Sequence, residues 1–248
     1  MRYLKLTVAY RGTNYCGWQI QSNPRSVQQV LETAFTKITG EKNRFTASGR
    51  TDAGVHAIGQ VISVVTSTTI PNGNLVRGLN SNIPRDISVL SVEDAPERFH
   101  AIRDAKRKRY RYRLQMGPVA DPLDQEFAWH VTYSLDVPAM QLAARELLGE
   151  HDFACFQAAG ADRITTVRTI YDCQFNECET TPFRKFQFEI GGNGFLYNMV
   201  RNIVGSLVEV GRGKQSPTWI SELIRSKDRK RAGQTAPAKG LFLVSVDY

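Results

Sequence analysis

Apolar and polar residues alternate at the start of the chain with the two-residue period of a β-strand. Apolar side chains recur at Leu4, Leu6, Val8 and Tyr10, and smaller or polar residues lie between them. A segment with this period has one buried face and one exposed face, so we expect a half-buried strand. Similar patterns predict further strands at residues 55–65, 87–92, 167–175, 183–190 and 241–248.

Other segments repeat their apolar residues with the period of an α-helix. The first begins after Ser26, which can cap a helix together with Gln29, and Gly40 supplies the stop. Shorter helices are predicted at residues 75–79, 136–148 and 216–224. The longest apolar stripe ends before Gly211 and consists of Leu196, Met199, Val200, Ile203, Val204, Leu207 and Val208. Arg201 lies at its edge, where the side chain either extends to solvent, as is usual, or enters a cleft.

The order of the predicted elements indicates the fold class. Residues 1–103 and 104–248 share a rhythm of strand, helix, strands, helix and strand, without a residue-level repeat. Because strands and helices do not alternate strictly, we predict an α+β fold of two similar α/β lobes with largely antiparallel sheets. The weak periodicity of residues 96–105 places the junction between an N-terminal and a C-terminal domain there. A positively charged cleft between the lobes is the expected active site.

An excess of cationic residues suggests a polyanionic partner. The chain has 32 Lys and Arg against 24 Asp and Glu, a formal net charge of +8, which favours nucleic acid as that partner. The cations are concentrated in one short segment, at Arg103, Lys106, Arg107, Lys108, Arg109, Arg111 and Arg113.

This basic segment has two interpretations. In a strand, cations would line one face and aromatic or apolar residues the other, as Arg109, Arg111 and Arg113 against Tyr110, Tyr112 and Leu114. Such a surface suits RNA, because phosphates contact the cations and bases stack on the rings. The alternative is a solvated charged face with its tyrosines in the core, and the pattern alone favours neither.

The cysteine and hydropathy patterns favour a reducing, cytoplasmic location. Cys16, Cys155, Cys173 and Cys178 include no Cys-x-x-Cys pair, so buried free thiols are expected rather than a zinc site. No N-terminal segment has the features of a signal peptide. The most apolar stretch, residues 195–210, is too short to span a membrane.

Common catalytic motifs are absent, which leaves one short turn as the candidate for chemistry. The chain has no Walker loop, no GxGxxG after a strand, no HExxH and no GxSxG. Residues 48–57 hold Asp52 beside Arg50, between Gly49 and Gly54. Local chemistry alone favours a surface turn in which Asp52 bonds its own backbone. Together with the basic aromatic segment, the turn favours an enzyme that acts on a nucleotide within RNA through one carboxylate.

Residues 48–57 resemble the signature of the TruA-type tRNA pseudouridine synthases. Four further segments resemble blocks of the same family in the same order: residues 9–19, 108–112, 194–205 and 235–241. One block alone could arise by chance, whereas five in order over both halves of the chain are a strong signal. Two departures occur. Arg11 stands where the family commonly has an acid, and the arginine in residues 100–104 is displaced.

The resemblance implies a reaction and a set of site residues. Asp52 would be the single catalytic aspartate, and Arg201 the cation that favours its ionised form. Arg50 would fill the space left by the flipped uridine, and Tyr110 would stack on the target ring. Leu243 would form the apolar floor of the pocket. The reaction is an isomerisation, so the resemblance implies no cofactor and no metal.

The family also implies partners. These are tRNA, modified at positions 38 to 40 of the anticodon arm, and a second copy of the chain in a homodimer that binds one tRNA across both subunits. The sequence does not decide whether Asp52 attacks C1′ or C6 or acts as a base. Two alternatives stay open: a related synthase acting on other tRNA positions or another RNA, and a non-catalytic RNA-binding protein. Pure binding would have no need of a carboxylate among phosphates.

Overall fold

A computed structural model of the chain describes residues 1–22, 25–158, 160 and 165–248. These residues form two compact units, one of Met1–Lys106 with Phe242–Tyr248 and the other of Arg107–Leu241. Each unit combines helices with mostly antiparallel strands, so the mixed helix and strand class predicted from the sequence is confirmed. The C-terminal residues 242–248 belong to the first unit, whereas each of the predicted domains, 1–103 and 104–248, is a continuous segment of the chain. That domain division stays a prediction.

The elements occur where the periodic patterns predict them, with some short strands in addition. The strands are β1 (Arg2–Tyr10), β2 (Thr46–Ala47), β3 (His56–Thr66), β4 (Ile87–Asp94), β5 (Arg107–Met116), β6 (Trp129–Val131), β7 (Gly149–Asp152), β8 (Val167–Glu179), β9 (Arg184–Gly192) and β10 (Leu241–Asp247). The helices are α1 (Val27–Thr39), α2 (Asn72–Asn80), α3 (Val137–Arg145), α4 (Met199–Gly211) and α5 (Trp219–Ser226). Within the described ranges, no helix has the length and apolar character needed to cross a membrane.

In the first unit, β1 lies between β3 and β4 and pairs antiparallel with both. Leu6, for example, lies opposite Ile62 of β3 and Val92 of β4. Strand β2 adds to β3 in antiparallel orientation, and β10 pairs parallel to β3 through Phe242 and Leu243. The alternating apolar residues of β1 are all buried, which confirms the predicted half-buried strand.

Helix α1 begins and ends at the residues that its sequence predicts. Ser26 Oγ accepts a hydrogen bond from the Gln29 backbone N–H at 3.2 Å, which satisfies one of the unpaired donors at the helix start. Gly40 follows the last turn with a φ of 76°, a left-handed conformation that favours glycine. Between these ends the apolar face is buried, and Phe35 packs edge-to-face on Phe45 with ring centroids 5.3 Å apart.

The second unit is built on the antiparallel strands β5, β9, β8 and β7, which pair in that order, and β6 adds to β5 in parallel. Helix α3 begins where the sequence predicts it, and Asp136 caps it: Asp136 Oδ1 accepts from the Ala139 N–H at 2.9 Å. The helix ends at Arg145, short of the predicted Leu148. A tight turn replaces the last predicted residues of the helix. The Leu148 N–H donates to the Arg145 carbonyl oxygen, and Gly149 then begins β7 with a φ of 97°.

Helix α4 packs directly against the backbone of a later segment. A Cβ atom added to Gly205 would lie 1.7 Å from the Gln234 carbonyl oxygen. The fully buried Asn202 side chain accepts hydrogen bonds from Thr235 Oγ1 at 2.7 Å and from Arg229 Nη2 at 2.9 Å. The segment between α5 and β10 is therefore fixed against α4 at its C-terminal end.

Replacing Gly205 by alanine should destabilise the protein, because the added methyl group overlaps the Gln234 carbonyl and the two backbones must separate. The expected cost is on the order of 1–3 kcal/mol, the range for overpacking a filled interior. Urea unfolding measures it as a lower midpoint with an unchanged slope. Gly73→Ala is the matched control, since its Cβ would meet nothing nearer than 3.8 Å, and its midpoint should stay or rise. Equal midpoints for the two variants would contradict the close approach.

Candidate active site and nucleic-acid interface

Asp52 lies in a tight turn between β2 and β3. The turn closes through the Val55 N–H, which donates to the Asp52 carbonyl oxygen at 3.1 Å. Gly54 has a φ of 77°, in the left-handed region where a side chain would be strained. Asp52 is partly exposed, whereas Val55, His56 and Ala57 are buried. The turn therefore presents one short carboxylate at the start of a buried strand.

The N-terminal loop packs its backbone against this turn. Gly17 has a φ of 98° and pairs with Asp52 in an isolated antiparallel bridge. A Cβ atom at Gly17 would lie 2.4 Å from the Thr51 carbonyl oxygen. The Trp18 N–H donates to the same oxygen at 3.0 Å. The backbone position of Asp52 thus depends on glycine at residue 17, a link that sequence reasoning missed.

Gly12 makes a second close approach from the same loop. A Cβ atom there would lie 2.0 Å from the Val55 carbonyl oxygen. The Gly12 N–H donates to His56 Nδ1 at 3.0 Å, which makes this ring nitrogen the acceptor. The His56 ring is buried and stacks on Phe242, with ring centroids 4.7 Å apart. These contacts give His56 a structural role, in which it joins the N-terminal loop to β3.

A layer of buried polar side chains lies beneath the turn. Gln60 of β3 is fully buried, and its Nε2 donates to the Gly49 carbonyl oxygen at 2.8 Å and to Tyr10 Oη at 3.5 Å. Its Oε1 accepts from Ser48 Oγ at 2.7 Å. Tyr10 Oη lies 2.8 Å from Thr51 Oγ1, and burial raises the pKa of Tyr10 to about 12. In the sequence, Gln60 is only a polar interruption of an apolar strand, so its role was missed.

Arg50 and Leu243 are the other predicted site residues of the first unit. Arg50 is exposed, between two residues that the polar layer contacts. Leu243 is fully buried in β10 and lies opposite Ala57, shortly after the turn. The structure therefore brings Asp52, Arg50 and Leu243 into one compact unit.

Tyr110 and Arg201 lie in the second unit. Tyr110 is 8% exposed and packs edge-to-face on Phe195, with ring centroids 5.0 Å apart. Arg201 is half-buried in the first turn of α4. Its Nε donates to the Ala236 carbonyl oxygen at 2.7 Å, and its Nη1 donates to Asn198 Oδ1 at 2.9 Å. The guanidinium is thus oriented by two acceptors rather than extending loosely into solvent.

Strand β5 separates cations from aromatic residues as predicted, but its cations have carboxylate partners. On one face, Tyr112 is fully buried and donates to the Pro237 carbonyl oxygen at 2.7 Å. On the other face the arginines form ion pairs, which are Arg107 and Arg109 with Asp172, Arg109 and Arg111 with Glu189, and Arg113 with Asp124. Of the two interpretations of this segment, the geometry therefore favours a charged strand face with its tyrosines in the core. It gives less support to a surface of unpaired cations that binds RNA phosphates.

Lys185 of β9 forms three further ion-pair contacts with carboxylates beside this strand face. Its Nζ lies 2.6 Å from Asp121 Oδ2, 3.0 Å from Asp124 Oδ2 and 2.9 Å from Glu179 Oε2. The hydrogen bond to Asp121 raises the pKa of Lys185 above its usual range, although burial opposes the shift. The same bond, together with the Leu123 N–H, lowers the pKa of Asp121. Both shifts favour the charged forms, so the pair stabilises the folded state near neutral pH.

The sequence matches the protein family described as tRNA pseudouridine synthase over residues 6–103 and 143–248. The chain belongs to this family. It is 46% identical over 248 residues to tRNA pseudouridine synthase A of Pelobacter propionicus, covering 100% of both chains. The protein of that name from Thermoanaerobacter sp. strain X514 is 44% identical over 100% of both chains. The one from Halalkalibacterium halodurans is 47% identical over 98% of this chain and 91% of its own. The resemblance read from the sequence is confirmed.

The two departures from the pattern of the pseudouridine synthase family lie outside the Asp52 turn. Arg11 is exposed at an open pocket, and its N–H donates to the Asp86 carbonyl oxygen at 2.9 Å. In the second departure, Asp104 Oδ2 accepts from the His100 N–H at 2.7 Å and closes a turn. The displaced Arg103 is exposed and pairs with Asp104 at 3.4 Å.

The four cysteines of this pseudouridine synthase family member differ in exposure. Cys155 and Cys173 are buried, as predicted, and burial raises the pKa of each thiol to about 12. The prediction of a buried thiol is wrong for Cys178, because β8 continues to Glu179 and leaves this residue exposed near its end; Cys16 is partly exposed. Among the residues that the structure describes, no three His, Cys, Asp or Glu side chains converge in a way that could hold a metal ion.

Asp121→Asn should weaken folding in a pH-dependent way. Because the folded state lowers the pKa of Asp121, the ion pair with Lys185 stabilises the fold above the usual carboxyl pKa of about 3.9 and is lost as the pH falls through the folded value. The variant should therefore be less stable than the wild type at neutral pH, and the difference should shrink below about pH 4. Urea unfolding across pH measures this. Lys185→Met removes the other partner and should reproduce the trend, whereas a difference that stays constant with pH would contradict it.

Proposed function

We propose that this chain isomerises uridine to pseudouridine in tRNA, with Asp52 as the catalytic carboxylate. The observation that carries the proposal is the Asp52 turn, a carboxylate fixed by glycine-mediated backbone contacts within residues that match the tRNA pseudouridine synthase family. Relatives named tRNA pseudouridine synthase A that align over the full length support the same activity.

The proposed reaction breaks the N1 glycosidic bond of the uridine, turns the base and rejoins it through C5. N1 gains the proton that C5 loses, so the product is an isomer. Asp52 acts as a nucleophile toward C1′ or C6, or as the base in an elimination, and each route requires the ionised carboxylate. Arg201 is the cation proposed to favour this form. Its guanidinium is already oriented by the Ala236 carbonyl and Asn198 Oδ1, at 2.7 and 2.9 Å.

The other proposed site residues hold the uridine base in the pocket. A uridine has to leave its stack to be reached, which costs a few kcal/mol. Arg50 is exposed beside Asp52 and is proposed to occupy the vacated space. Tyr110 is proposed to stack on the target ring, and the fully buried Leu243 to form the apolar floor of the pocket. The positively charged cleft between two α/β lobes, the homodimer and the cytoplasmic location belong to the same proposal.

The proposed target is the anticodon arm of tRNA at positions 38 to 40. A related synthase acting on other tRNA positions or another RNA is the second candidate, since the same turn and the same chemistry serve either target. A non-catalytic RNA-binding protein is less favoured, because pure binding gives no reason to hold a carboxylate beside an exposed arginine.

Asp52→Asn should abolish pseudouridine formation and keep tRNA binding, because the amide can neither act as nucleophile nor accept the proton. Tritium release from tRNA labelled at uridine C5 measures turnover, and filter binding measures affinity. Asp94→Asn is the matched control: Asp94 is an exposed carboxylate of the same unit that pairs with Arg2 at 2.9 Å, and its loss should leave turnover intact. Turnover of tRNA by the Asp52→Asn variant would contradict the assignment of Asp52 as the catalytic carboxylate.

Cells that lack this protein should lose pseudouridine at positions 38 to 40 of their tRNA. The modified positions can be mapped in total RNA from cells with and without the gene, and a copy carrying Asp52→Asn should fail to restore them. Loss at other tRNA positions, or in another RNA, would favour the second candidate. An unchanged map would favour the binding protein.

A further inference from the structure

The buried polar side chains beneath the Asp52 turn form one connected network. Gln60 is fully buried, Tyr10 is 4% exposed and Thr51 is 6% exposed. The network contacts the chain on both sides of the exposed Arg50, at the Gly49 carbonyl oxygen and at Thr51 Oγ1, with distances of 2.8 Å in each case. It therefore holds the segment that leads directly into Asp52.

The hydrogen-bond partners of Gln60 fix the orientation of its amide. The Gly49 carbonyl only accepts, so the Gln60 amide nitrogen must face it and the amide oxygen must face Ser48 Oγ. Gln60 Nε2 also donates to Tyr10 Oη, and the Tyr10 and Thr51 hydroxyls share a hydrogen bond in which either oxygen can be the donor. Burial raises the pKa of Tyr10 to about 12, which keeps its hydroxyl protonated at neutral pH. The orientation of the Gln60 amide is thus fixed by its partners.

Packing alone does not account for these side chains. A buried amide or hydroxyl that lacks partners costs about 1–3 kcal/mol, a risk that an apolar residue of similar volume avoids. Strands β1 and β3 pair through their backbones, so the ladder does not need the side chains of Tyr10 and Gln60. Their hydrogen bonds reach residues 48, 49 and 51 instead, immediately before Asp52.

We propose that Gln60 and Tyr10 are positioning residues for the reaction. They fix residues 49–51 so that Asp52 and Arg50 keep the geometry that the chemistry requires. This inference rests on the proposed function of Asp52. Both side chains are buried and act through the turn, so they serve the chemical step rather than tRNA binding. A misplacement of about 1 Å at a catalytic group can lower a rate about 100-fold.

The test measures rate and affinity in variants that delete single polar groups. Tyr10→Phe removes the hydroxyl, Thr51→Val removes its partner, and Gln60→Met removes the amide with little change in volume. The single-turnover rate and kcat should fall on the order of 10- to 100-fold. KM and the tRNA dissociation constant should stay within about twofold, since binding contacts are untouched. Thr51→Ser keeps the hydroxyl and should recover most of the rate.

Thr66→Val is the matched control for Thr51→Val. Thr66 lies at the other end of β3, is 1% exposed, and donates through Oγ1 to Glu41 Oε2 at 2.6 Å. Its loss should lower the urea midpoint and leave kcat unchanged. Equal kcat values for the two variants, or failure of Thr51→Ser to recover the rate, would show that the network only stabilises the fold and would overturn the proposal.

The outcomes also separate this inference from the function on which it rests. If Asp52→Asn is inactive while Tyr10→Phe and Gln60→Met keep the wild-type kcat, the positioning role fails and the proposed function stands. If Asp52→Asn turns over tRNA, both fail. A Tyr10→Phe/Thr51→Val double variant that is no slower than the slower single variant supports the shared hydrogen bond, and additive losses contradict it.

Discussion

Close approach of two backbones is the constraint on which the Asp52 turn depends. Where the N-terminal loop meets the turn, no side chain fits at Gly17, because its first carbon would overlap the Thr51 carbonyl oxygen. This proximity allows the Trp18 N–H to donate to the same oxygen at 3.0 Å. A turn and a loop that are bonded at backbone distance cannot shift independently. Asp52 is therefore held in a fixed setting, which the turn sequence alone does not indicate.

A similar close approach of two backbones fixes Arg201, the other charged group of the proposed chemistry. Gly205 lets the segment around Gln234 lie against the backbone of α4. Ala236 of that segment then exchanges two hydrogen bonds with Arg201: its N–H donates to the Arg201 carbonyl at 3.1 Å, and its carbonyl accepts from Arg201 Nε at 2.7 Å. In each unit a glycine removes the side chain that would keep two segments apart. The resulting backbone contact orients one functional side chain.

The periodic parts of this fold could be predicted from the sequence, because alternation and caps are local signals. The strand β1 and the helix between Ser26 and Gly40 are examples. The short strands β2, β6 and β7 could not be predicted, since so few residues show no period. The Asp52 turn was a candidate for chemistry from the sequence, and the family resemblance implied its catalytic role. Gln60 was not a candidate, because its partners lie at residues 10, 48 and 49 and only the folded chain connects them.

The distribution of charge in the folded chain also depends on contacts between residues that are distant in sequence. The arginines of β5 are the densest cations in the sequence, yet folding places carboxylates of distant segments beside them. A paired cation gains less from a phosphate, because binding must first separate it from its carboxylate. Internal pairs contribute no net charge, so the formal excess of +8 lies on other residues. Exposed cations such as Arg50, Lys230 and Arg231 are therefore better placed to attract a polyanion than the strand that first indicated one.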